Sequence, residues 1–109
     1  MDSTTRESFE SDIRALERKI EFSEGRLRNI EYAIQRGAQN EDRAISSFER
    51  ALHPTDPSGR PEEIAVHIVN IRDGLAFLHQ TERAAQREIA ADQTSLRELR
   101  DALDKFDRA

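Results

Sequence analysis

The sequence predicts an all-α protein: one long antiparallel coiled-coil hairpin occupying residues 1–109 as a single domain. Three observations lead there. A 3-4 apolar repeat runs through both halves of the chain, one proline- and glycine-rich segment interrupts it, and no stretch shows the alternating pattern of a strand. The first seam reads Phe9, Ile13, Leu16, Ile20, Ser23, Leu27, Ile30, Ile34, Gly37, Glu41, Ala44, Phe48, Ala51, with 10 of 13 positions apolar. The second reads Ile64, Ile68, Ile71, Leu75, Leu78, Glu82, Ala85, Ile89, Asp92, Leu96, Leu99, Leu103, Phe106, with 11 of 13. Alternating steps of three and four keep one stripe of a helix toward a partner helix, so each arm has a face that must be covered.

The first helix is expected at about 4–52. Thr4 followed by Glu7 fits a capping box, in which each side chain satisfies the other residue's free backbone N–H. Pro54 ends the helix, because the residue before a proline avoids the α region. Within this arm Gly37-Ala38-Gln39-Asn40 is the weak point: glycine can terminate a helix and asparagine can cap a new one, so a bend or break near 37–40 is an open alternative. The heptad register nevertheless continues through it without a slip, which favours a continuous helix.

Residues 53–60 form the expected turn, with Asp56-Pro57-Ser58-Gly59 as a tetrad carrying proline second and glycine fourth. The second helix is expected at about 61–107. Pro61 suits the first helical position, and Glu62 and Glu63 oppose the positive end of the helix dipole.

With the turn centred near residue 56, Gly37 falls opposite Leu75 and Leu27 opposite Ala85, small against large in both layers. The polar interruptions Ser23 and Asp92 fall in adjoining layers, where they are expected to meet. Gly37 and Gly74 share a height, which marks them as a close-approach or hinge pair. Charge on the flanks supports the same register. Glu10, Glu17, Glu24 and Glu31 face a flank carrying Arg72, His79, Gln86, Gln93 and Arg100, and Arg26 is expected opposite Glu88.

Near the turn the apolar surface exceeds what one partner helix can cover. Ile45 and Leu52 on the first arm, and Ala65, Val66, Val69, Ala76 and Phe77 on the second, lie off the seam. Broad apolar faces pack against more than one neighbour. The expected interface is therefore Ile45, Phe48, Leu52, Ile64, Val66, Val69 and Phe77, pairing with a second copy in a four-helix arrangement or with another helical protein. Folding back of the first arm at Gly37 is the alternative cover. Phe22 and Tyr32 lie on the outer face of the first arm.

Composition narrows the remaining classes. The net charge is −5, and the two halves carry nearly the same balance, with no basic cluster of the kind that displaces counterions from nucleic acid. Fifteen of the 17 basic residues are arginine, and they read as scattered rather than grouped. There is no cysteine, hence neither a disulfide nor a thiolate metal site. No apolar stretch is long enough to insert in a membrane, and Met1–Glu7 is polar, unlike a cleaved secretory leader. A cytoplasmic location is the default expectation, with signal-less secretion left open. Glu63, His67, His79 and Glu82 have the residue types of a metal site but not the converging spacing. There is no phosphate-binding loop and no nucleophile motif. The expectation is a non-enzymatic adaptor, chaperone or scaffold with no metal and no cofactor.

Pro54-Thr55-Asp56-Pro57 is similar to the Pro-x-Asp-Pro turn of type III secretion needle subunits, which are small helical hairpins. The similarity covers those four residues and the layout. This chain has in addition a heptad-patterned first arm that those subunits lack. The resemblance implies an alternative role as a structural subunit or substrate of a bacterial secretion apparatus. The secreted Trp-x-Gly hairpins have a similar length, but this chain contains no tryptophan.

Overall fold

A computed structural model describes residues 2–53 and 60–109. It is an all-α hairpin of two helices, α1 (Asp2–Ala51) and α2 (Pro61–Arg108), with no strand among the described residues. Every residue of both predicted seams is buried or partly buried, whereas the large exposed apolar residues all lie off them.

α1 begins two residues earlier than expected. Thr4 lies within its first turn, so the Thr4–Glu7 capping box is not the helix start. Asp2, Ser3, Thr4 and Thr5 are all residues that favour a cap, so composition at this end does not single one out. The helix runs through Gly37 and Asn40 without interruption. No described glycine adopts the positive φ that a helix-ending glycine would need, which removes the fold-back alternative. At the C-terminal end the Leu52 N–H donates to the Phe48 carbonyl (3.1 Å), and the His53 N–H closes a tighter turn on the Arg50 carbonyl (3.0 Å). The Asp56–Gly59 tetrad and the Pro54–Pro57 motif lie outside the described residues.

α2 starts at Pro61 as expected. The Arg60 carbonyl accepts from the Ile64 N–H (3.1 Å), and the Arg60 guanidinium reaches Glu63 (3.3 Å). The last turn carries Lys105 and Arg108, which favour the negative end of the helix dipole.

The hairpin divides into two compact units, a terminal one (Met1–Arg28 with Arg83–Ala109) and a central one (Asn29–Glu82). The terminal unit holds a core of Ile13, Ile20, Ile89 and Leu96, flanked by Leu16, Leu27, Leu99 and Leu103. Phe9 and Phe106 close its end in a tilted ring contact, centroids 6.2 Å apart. In the central unit the buried apolar residues are Ala44 and Ile68. Its tightest layer is the predicted one: a methyl added at Gly37 would stand 2.6 Å from Leu75 Cδ2. Gly37 is therefore a close-packing glycine. Gly74 is not, since a methyl there would meet nothing within 4 Å.

Candidate protein-protein interface

Each carboxylate on the seam has a nitrogen-bearing side chain beside it within its own unit. Glu41 pairs with Arg72 (3.4 Å), and Glu82 lies 3.6 Å from His79 Nδ1. Lys19 Nζ donates to Asp92 Oδ1 (3.2 Å) and stands equally near Oδ2, which receives no directed hydrogen bond. The Asp92 hydrogen bond, reinforced by its charge, raises the Lys19 pKa above the usual lysine value. Asp92 thus turns to Lys19 rather than to Ser23, and Glu88 is met by Lys19 (3.7 Å) rather than by Arg26. A lysine one turn from the seam reaches across more readily than a short serine hydroxyl. Of the two flanks expected to face each other, Glu17 and Arg100 form an ion pair (3.3 Å), and Arg6 joins Asp107 and Glu10. Two of the polar interruptions of the seam, Glu41 and Asp92, are thus ion-paired in the structure.

Of the predicted interface residues, Leu52, Val66, Val69 and Phe77 are exposed, by 59%, 61%, 54% and 66%. Ile45 is partly buried at the seam edge, and Phe48 and Ile64 are partly buried within the seam. Val66, Val69 and Phe77 lie on the side of α2 turned away from α1. Heptad positions b, f and c are neighbours around a helix, so three large apolar side chains within three turns form one outward patch. Phe22 and Tyr32 are also exposed, as predicted, each alone on the outer face of α1. The Arg36 guanidinium lies over the Tyr32 ring, 5.9 Å from its centroid.

On the other flank of the central unit an open groove of about 500 Å³ runs between α1 and α2, lined by Asn40, Arg43, Ala44, Ser47, Ile64, His67 and Ile71. It continues over Asp42, Ser46 and Arg50 on α1. Sequence reading missed this feature and took the arginines as scattered. The overlooked signal was the seven-residue recurrence of Arg36, Arg43 and Arg50, beside a column of small or polar side chains at Ala33, Asn40 and Ser47.

Among the described residues no group of three or more His, Asp or Glu side chains could hold a metal ion; His67 lines the groove, while His79 pairs with Glu82. No helix is long and apolar enough to cross a membrane. Neither the models of known protein families, nor the curated proteins, nor the solved structures contain a match to this chain.

Proposed function

We propose that this chain is a non-enzymatic interaction module that pairs with a second copy of itself through the outward apolar surface of its central unit. The observation that carries the reading is the exposure of Leu52, Val66, Val69 and Phe77 on a hairpin whose seam is already filled. Each large apolar side chain fully withdrawn from water contributes roughly 1.5–3 kcal/mol, so this surface favours association. A two-fold contact uses the same patch on both copies and covers both at once, which a one-sided contact does not. Two hairpins joined this way form a four-helix bundle around the central unit, the arrangement helices with broad apolar faces adopt.

The test is light scattering on the unmodified chain and on Val69→Glu and Phe77→Asp. The unmodified chain is expected to be a dimer at tens of micromolar. Either variant should be a monomer that keeps its helical circular dichroism. A stable monomer for the unmodified chain defeats the reading.

A further inference from the structure

The groove of the central unit differs in kind from the apolar patch, because cations line one wall and apolar side chains its floor. Arg43 stands on its α1 side, Arg50 lines its continuation over α1, and Arg36 precedes Arg43 by one heptad in the same helix column. Among the described residues none of the three has a carboxylate within ion-pair distance. Arg50 donates to Ser47 Oγ (3.3 Å), and Arg36 rests on Tyr32. This sets them apart from Arg6, Arg60, Arg72 and Arg100, each of which has an acidic partner. The one acid lining the groove's continuation among the described residues is Asp42, next to Arg43. Ala44, Ile64 and Ile71 supply the floor, and Asn40 and Ser47 are small enough to leave it open.

Seven residues of helix advance roughly 10.5 Å, so the three guanidinium groups repeat at the spacing of a heptad column on another helix. We propose that this groove receives one amphipathic helix of a partner protein, with apolar side chains on Ala44, Ile64 and Ile71 and a carboxylate at every seventh residue opposite Arg36, Arg43 and Arg50. Complementary charge on the flank of an apolar contact sets partner choice and register in helical assemblies. A nucleic acid or an anionic bilayer would use the arginines but leave the floor unused, and the chain's net charge of −5 opposes so large a polyanion. The inference rests on the reading of the chain as an interaction module but uses a different face.

The probe is a labelled synthetic peptide of three heptads with a leucine and alanine face and glutamate at every seventh position of one flank. Its twin carries lysine at those positions. In anisotropy titrations with the full chain, the glutamate peptide should bind and the lysine twin should not. The triple variant R36E/R43E/R50E should lose the glutamate peptide by at least about tenfold, the scale of several exposed ion pairs together, and gain the lysine twin. Ser47→Trp should block the groove and abolish peptide binding with the thermal melt retained. If the triple variant does not fold, Arg43→Gln with Arg50→Gln should still weaken the glutamate peptide. Equal binding of the two peptides would overturn the proposal. So would a glutamate peptide indifferent to the arginine changes, or phosphatidylserine vesicles or duplex DNA binding where the peptide does not. Light scattering on the same samples reports self-association separately, so failure of the groove and failure of the dimer are distinct results.

Discussion

The terminal and central units are built from the same heptad pattern but place their apolar residues differently. In the terminal unit four large aliphatic residues are buried together, and ion pairs from Arg6, Glu17 and Lys19 close over its flanks. In the central unit only Ala44 and Ile68 are buried among the described residues, one layer is a glycine under a leucine, and Leu52, Val66, Val69 and Phe77 face outward. The first arrangement suits holding two helices together. The second leaves Leu52, Val66, Val69 and Phe77 exposed to solvent. The larger buried core and the proposed contact surfaces thus belong to different units.

Substitutions of buried and exposed apolar residues should separate the two units most clearly. Ile20→Ala removes a core side chain of the terminal unit and should cost about 2–4 kcal/mol in a urea melt followed by circular dichroism. Phe77→Ala, measured at a concentration where the chain is monomeric, should change stability by no more than about 0.5 kcal/mol. Similar losses in the two would mean that Phe77 belongs to the intramolecular core.

The two glycines of the central unit sharpen the comparison at the next scale. Gly74→Ala gains helix propensity with open space for the methyl and should stabilise by about 0.5–1 kcal/mol. Gly37→Leu must displace Leu75 and should destabilise by about 1–3 kcal/mol, while Gly37→Ala should gain less than Gly74→Ala because Leu75 has to shift. Thermal melts of the three variants check the order.

A smaller effect should appear in the pH dependence of the terminal unit. Folding raises the Lys19 pKa, so the folded state holds this proton more tightly than the unfolded chain. The advantage of the natural chain over Lys19→Met should be complete below the usual lysine value of 10.5 and fade as pH rises through the raised one. An advantage constant from pH 7 to well above 10.5 would assign it to packing of the lysine stem. Smallest of all, Glu17→Gln breaks an exposed pair with Arg100 and should cost only a few tenths of a kcal/mol, an effect lost in high salt.

Much of this was legible in the sequence because a heptad repeat is a direct statement about one face of a helix. The seam residues, the Gly37–Leu75 layer, the flank that carries Glu17 and the exposed Val66, Val69 and Phe77 all follow from counting in steps of three and four. The choice among Asp2, Ser3, Thr4 and Thr5 for the helix start did not follow, since each is chemically able to cap. Nor did the partners of Asp92 and Glu88. Lysine and arginine side chains reach over a full turn, so register narrows their partners to a neighbourhood without selecting one.

By itself the sequence determined that the chain is a helical hairpin, where its arms meet, and which apolar residues that meeting leaves over. Periodicity is a one-dimensional property that survives without coordinates. Only the tertiary structure decided that Gly37 is packed while Gly74 is open, and that Glu41 and Asp92 on the seam are paired with Arg72 and Lys19. It also showed that Arg43 lines a groove with an apolar floor. Those outcomes depend on where side chains from two helices end in space, and sequence spacing on either helix alone does not contain that information.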